Sequence, residues 1–222
     1  MSKPCGQHGA ARFAAAGALL AFCVSAPAQP ANDDCADAMA LAGEGIIPFS
    51  NVGATTDGPS PCAEQGADVW LRYAFVAPGS VKVTTCTPAL TLDTVVAAHR
   101  RCPTDPNDLD SVIECNDDDP AAPCAAGGST LRMPVGLGAP LVIQVGGKDG
   151  AEGEGEVVFT PCLGDFDADG VVSLPDLALL LSEYGIVTCD PFGCRYDVEG
   201  NDGDVDLTDL AVLLSRFGTE CP

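Results

Sequence analysis

Residues 164–185 read GDFDADGVVSLPDLALLLSEYG, and residues 203–218 read GDVDLTDLAVLLSRFG. Aligning 170–185 with 203–218, an offset of 33, gives identity at ten of sixteen positions. This is an internal duplication of one short unit. Each copy is an acidic loop running into a leucine-rich helix. Leu177, Leu180, Leu181 and Tyr184 fall at i, i+3, i+4, i+7, as do Leu210, Leu213, Leu214 and Phe217, so each helix carries one apolar stripe. Gly185 and Gly218 stand where a helix ends, and Pro175 suits a first turn. A lone helix of this length is unstable in water, so the two stripes are expected to face each other.

Three aspartates at alternate positions repel one another unless something neutralises them. Counted from Asp165, the first loop has Asp165, Asp167 and Asp169 at positions 1, 3 and 5, and Gly170 at 6. The carbonyl of Val171 takes 7, Ser173 takes 9 and Asp176 takes 12. That is the spacing of an EF-hand Ca2+ loop, closed by Asp instead of Glu. A hard cation wants six to eight oxygens, and alternate residues of a tightly turning loop point inward. Val172, at position 8, is expected in the core opposite Val205.

The second loop departs from this spacing. Counted back from Asp209 at position 12, Asp206 takes 9, Gly203 takes 6 and Asp202 takes 5, but position 1 would be Val198. One inserted residue restores Asp197 to position 1, with Glu199 or Asn201 nearby and Asp204 beside the glycine. The site is then either a bulged, weaker calcium loop or a degraded one.

A duplicated calcium loop-plus-helix with no helix ahead of the first loop resembles a dockerin type I module, over about 162–222. The resemblance implies a cohesin-like protein partner engaged through the C-terminal helices, in assemblies that degrade polysaccharides. It also implies that positions 10 and 11, here Leu174-Pro175 and Leu207-Thr208, help to set partner choice. This pair is more apolar than the hydroxyl residues often found there.

Residues 29–161 read differently. DVWLRYAFV alternates Val69, Leu71, Tyr73 and Phe75 against Trp70, Arg72, Ala74 and Val76. SVKVTT, TVVAAH, SVIEC, STLRMPV, PLVIQVGG and GEVVFT follow as β-branched runs separated by Gly, Pro, Asn and Asp clusters. Eight or nine strands at this spacing predict an antiparallel sandwich, with a barrel as the alternative. The fold class expected is a mostly β sandwich followed by a small α calcium-binding module of two loop–helix repeats. NDDCADA, VGATTDG, DVWLRYAFVAPG, LDTVV, ECNDDD and LVIQVGG together resemble the pre-peptidase C-terminal type of β-sandwich of secreted bacterial proteins. Such domains are accessory and non-catalytic. Asp117, Asp118 and Asp119 form either a further cation site or a solvated loop.

Residues 1–28 read as a secretory signal: Lys3 and Arg12, the apolar run 13–24, and Ala26-Pro27-Ala28 as the cleavage site. No stretch is long enough to span a bilayer. Without that segment, eight basic residues face 32 acidic ones, a net charge of −24. Such a surface repels phosphate backbones and anionic lipid, which excludes nucleic acid as a partner. Ten of the twelve cysteines remain, and secretion makes disulfides the expectation. With His99 the only histidine left and no C-x-x-C, zinc is disfavoured. Locality along the chain predicts Cys35–Cys62, Cys86–Cys102, Cys115–Cys124, Cys189–Cys194 and Cys162–Cys221.

An enzyme is disfavoured too. His99 lies in TVVAAHRRC, where alternation makes it an ordinary strand residue, and no nucleophile elbow is present. One Trp and three Tyr are few for stacking sugars across a glycosidase cleft. The expectation is a secreted non-catalytic protein, its sandwich binding a polymer or protein and its tail mediating assembly. The alternatives are a purely structural calcium clip, or a small secreted hydrolase.

Overall fold

The computed structural model describes residues 28–75, 77–120, 127–136, 140–187, 195–199 and 202–221. Residues 1–27 and the Cys189–Cys194 pair lie outside the described residues.

Among the described residues, nine strands form two sheets. β1 (Met39–Ala42), β3 (Gln65–Ala74), β8 (Leu141–Lys148), β5 (Thr94–His99) and β6 (Val112–Asn116) make a five-stranded sheet in that order. β2 (Gly45–Ser50), β9 (Glu154–Leu163), β4 (Gly79–Thr84) and β7 (Thr130–Val135) make a four-stranded one. Two separate sheets make a sandwich and dispose of the barrel. The seven runs read from the sequence correspond to β3–β9. One pairing corrects the all-antiparallel expectation: β1 runs parallel to β3. Between them the chain crosses to the other sheet as β2 and returns in the same direction, which a parallel pair requires.

The alternation places Val69, Leu71 and Tyr73 on the inner face, against Val81, Val83, Val96, Ile143, Val157 and Phe159. Tyr73 stacks on Phe159 with centroids 4.8 Å apart. On the outer face of β3 the alternation fails at Asp68 and Trp70, both fully buried. The cover there is the 57–58 turn and the Cys35–Cys102 disulfide, since Trp70 packs with Cys35 and Val142.

The disulfides correct the locality rule. Cys35 pairs with Cys102, Cys62 with Cys115, and Cys162 with Cys221. Of the predicted pairs only Cys162–Cys221 is present among the described residues; Cys35–Cys62, Cys86–Cys102 and Cys115–Cys124 are excluded. In a sandwich the sequence neighbours of a strand lie in turns, while its spatial neighbours come from distant strands. The bonded pairs in the sandwich are therefore 67 and 53 residues apart. Cys86 is disulfide-bonded as well.

Beyond β9 come two helices, α1 (Leu174–Glu183) and α2 (Leu207–Ser215). Their core is separate and small: Phe166, Val172, Leu180, Tyr196, Val198, Val205 and Leu213, with Cys162. The apolar stripes are only half used. Leu180 and Leu213 are fully buried, but Leu181, Tyr184, Leu214 and Phe217 are exposed. The inward edge of each helix is instead the i, i+4 pair of an aspartate and a leucine: Asp176 with Leu180, and Asp209 with Leu213. Among the described residues, no helix is long and apolar enough to cross a membrane.

Candidate metal centre

The two acidic loops share one hydrogen-bond frame. In loop 1, Asp176 Oδ1 accepts from Phe166 N–H (2.6 Å) and Asp167 N–H (3.3 Å), and Oδ2 accepts from Ser173 N–H (2.7 Å). In loop 2, Asp209 Oδ1 accepts from Val198 N–H (2.8 Å) and Glu199 N–H (2.9 Å), and Oδ2 from Asp206 N–H (2.8 Å). Gly170 N–H donates to Asp165 Oδ2 (3.2 Å) as Gly203 N–H donates to Asp197 Oδ2 (3.0 Å). Asp197 therefore occupies in loop 2 the place of Asp165, and the extra residue falls between Glu199 and Gly203. Both glycines sit at left-handed φ, +93° and +90°, where a side chain is strained.

The position-12 aspartates also cap the helices. The bonds from Ser173 and Asp206 backbone N–H groups are half of a capping box on each helix. Asp206 completes the cap on α2 by accepting from Thr208 N–H at 2.6 Å.

Val172 and Val205, at position 8 of the two loops, are both fully buried in the small core, as expected. Val172 accepts from Gly218 N–H (2.8 Å) and donates to Thr219 O (3.0 Å); Val205 accepts from Gly185 N–H (2.7 Å) and donates to Ile186 O (2.9 Å). Each loop is thus bonded to the end of the other repeat's helix, through equivalent atoms. The duplication read in the sequence is a two-fold exchange in space.

Carboxylates gather in both loops. Oxygens of Asp165, Asp167 and Asp169 lie within 4.8 Å of one another, and so do those of Asp204, Asp206 and Asp209. Ca2+–oxygen distances are about 2.3–2.6 Å, so oxygens this close can share one ion. The sets differ: positions 1, 3 and 5 converge in loop 1, and 7, 9 and 12 in loop 2. Asp197, Glu199 and Asp202 are outside the second cluster, and Asp176 is outside the first. Val171 donates its N–H to Asp169 Oδ1 at 2.8 Å, which ties position 7 back to position 5.

Asp165 is fully buried, and its Oδ1 has no hydrogen-bond partner. Burial, joined by the charge of Asp176, pushes its carboxyl above the usual range, while the Ser80 hydroxyl, Gly170 N–H and Arg132 pull it back. Asp204 is raised by its bond to the Asp202 carboxyl, then by burial and by the charges of Asp202, Asp206 and Asp209. Crowded acids and an orphaned buried oxygen fit a divalent cation in both charge and donor type. Cys162 and Cys221 also lie beside Asp165, but they are bonded to each other and offer no thiolate.

Ser80 and Arg132 belong to this site and have no signal in the sequence. Ser80, on β4, is 85 residues from the carboxylate it touches. Elsewhere, Lys148 pairs with Asp117 (2.6 Å) and Asp118 (3.6 Å), which makes that acidic run an ion-pair loop. No ring closes it by Cys115–Cys124, because Cys115 is bonded to Cys62.

The sandwich has a buried polar chain of its own. Asp68 Oδ2 accepts from Gly58 N–H (3.2 Å) and from Gln144 Nε2. Gln144 Oε1 then lies 3.0 Å from His99 Nε2, and His99 Nδ1 lies 3.0 Å from Ser111 Oγ. All four residues are fully buried. Burial, with the Asp57 carboxyl beside it, raises the Asp68 pKa to about 7, and burial lowers that of His99.

The chain matches no protein-family model and no curated protein.

Proposed function

We propose that this is a secreted, non-catalytic, calcium-binding protein whose duplicated tail mediates assembly or surface attachment. The observation that carries the reading is the pair of matched loops, each folding its acids around a buried aspartate. In loop 1 that aspartate's Oδ1 lacks a partner. Asp165, Asp167, Asp169, Val171 through its carbonyl, Ser173 and Asp176 would hold Ca2+ in the first loop. Asp197, Glu199, Asp202, Asp204, Asp206 and Asp209 are the candidates in the second. A bound divalent ion supplies charge neutralisation. The chain's own residues do the rest: Asp176 and Asp209 tie the loop start to the helix cap, and Val172 and Val205 tie each repeat to the other.

The partner surface proposed is the exposed apolar part of the helices. Leu174 and Leu207, equivalent residues at position 10, are 68% and 66% exposed. Leu181 and Leu214, and Tyr184 and Phe217, repeat the same arrangement. Solvent-facing apolar side chains in matched sets suit a protein partner. The dockerin-like spacing points to a cohesin-like one, and through it to polysaccharide breakdown. A second reading, a calcium clip that only stabilises the sandwich, is favoured by the Ser80 bond to Asp165 and by the Cys162–Cys221 link.

Capture of a partner by the full chain in calcium, and its loss in chelator, tests the first reading. A paired Leu174→Asp, Leu207→Asp chain should bind calcium normally yet capture nothing. Calcium binding with no capture by the wild-type chain leaves the clip; failure to bind calcium sinks both.

A further inference from the structure

The outer face of the four-stranded sheet reaches into loop 1. Ser80 on β4 donates its hydroxyl to Asp165 Oδ2 at 2.6 Å, and Arg132 Nη1 on β7 lies 3.7 Å from the same oxygen. Arg132 Nη2 donates to the Cys221 carbonyl at 3.4 Å. The guanidinium also lies against Gly170, where an added Cβ would stand 3.8 Å from Cζ. These contacts hold Arg132 beside the three converging carboxylates.

A fixed guanidinium at that place acts in two opposed ways. It compensates part of the charge of a fully buried carboxylate, so less of that charge is left for a divalent ion to neutralise. It is also a positive charge beside the point where Asp165, Asp167 and Asp169 converge, so it repels any cation they gather. Ser80 carries no charge and acts by orientation. Its hydroxyl engages Oδ2 and leaves Oδ1 turned inward as the unpartnered oxygen.

We propose that Arg132 is a built-in counter-ion of loop 1, a positioning residue that replaces part of the divalent charge and so sets the calcium level at which the loop fills. Ser80 orients Asp165 for the same event. The proposal rests on the calcium reading above and adds that the sandwich tunes the first site.

The test is a calorimetric Ca2+ titration of the full chain as wild type, Arg132→Gln, Arg132→Lys and Ser80→Ala. Thermal melts in chelator and in excess calcium accompany it. Arg132→Gln should tighten one binding step by about tenfold, the scale of removing one nearby like charge at intermediate dielectric. It should lower the melting midpoint in chelator but not in calcium. Arg132→Lys keeps the charge and should bind within about twofold of wild type, and Ser80→Ala should weaken the same step about fivefold. If Arg132→Gln leaves both steps unchanged or weaker, or lowers the midpoint equally with and without calcium, the side chain is mere packing and the proposal falls. Wild-type affinity in Ser80→Ala removes the part given to Ser80. A wild-type chain that takes up no calcium sinks the metal reading and this proposal together; a chain that binds, but does not tighten in Arg132→Gln, sinks this proposal alone.

Discussion

The sandwich and the tail each bury an aspartate completely, and they satisfy it differently. Asp68 lies among donors of its own domain, the Gly58 N–H and the Gln144 amide, and its pKa is raised to about 7. A proton can neutralise it. Asp165 shares its loop with Asp167, Asp169 and Asp176, and one of its oxygens has no donor. Both oxygens of Asp68 meet donors, whereas Asp165 is left one oxygen short. The apolar cores differ in the same sense. Two sheets face each other across the first, while the second is one layer of seven side chains and a cystine.

This contrast is sharpest where a mutation should ignore calcium. Phe159→Ala removes a fully buried ring stacked on Tyr73 and should cost about 4–5 kcal/mol. Denaturant titrations in chelator and in calcium should show the same loss for the sandwich transition. A calcium-dependent loss would mean that the two regions unfold as one.

Proton linkage comes next. Asp68 binds its proton more tightly folded than unfolded, so that stabilisation is complete below about pH 4 and lost as pH rises to about 7. The span is on the order of 4 kcal/mol. His99 runs the other way: its pKa is lowered by burial, so its contribution is present above about pH 6.5 and lost below. The difference between wild type and Asp68→Asn, followed by denaturant midpoints from pH 5 to 8, isolates the aspartate. Parallel curves would refute the linkage.

In the tail, Asp176→Ala removes the acceptor of three backbone N–H bonds. It should cost about 3 kcal/mol and abolish the calcium-dependent gain of helical circular dichroism. A helical spectrum indifferent to chelator in the wild type would break the comparison itself. The smallest expected effect is at the α2 cap, measured in chelator so that no bound ion contributes: Asp206→Ala loses the bond from Thr208 N–H, about 1 kcal/mol, seen as faster amide exchange in the first turn of α2.

Much of this organisation was legible in the chain. Short apolar and alternating runs rich in β-branched residues marked β3–β9, and the offset of 33 marked both helices. β1 and β2 were not legible. MALA is short and has no β-branched residue, and GIIPFS carries Pro48, which an edge strand tolerates because one side of its backbone is unpaired. The buried face of the helices was misread in part, since a leucine count cannot register that Asp176 and Asp209 turn inward. Disulfide partners and the Ser80 and Arg132 contacts depend on which strands become neighbours across the sheets. Local spacing does not encode that.

The Cys162–Cys221 cystine joins the C-terminal end of β9 to a residue 59 positions further on. Both acidic loops and both helices lie between these two cysteines, a closed bight attached at the end of an interior strand. Tension applied at the helices by a bound load would therefore travel to β9 along two legs of chain meeting at one covalent knot. Under shear, the mechanical resistance of such a tether is set by the sandwich, and the small tail could loosen without letting go.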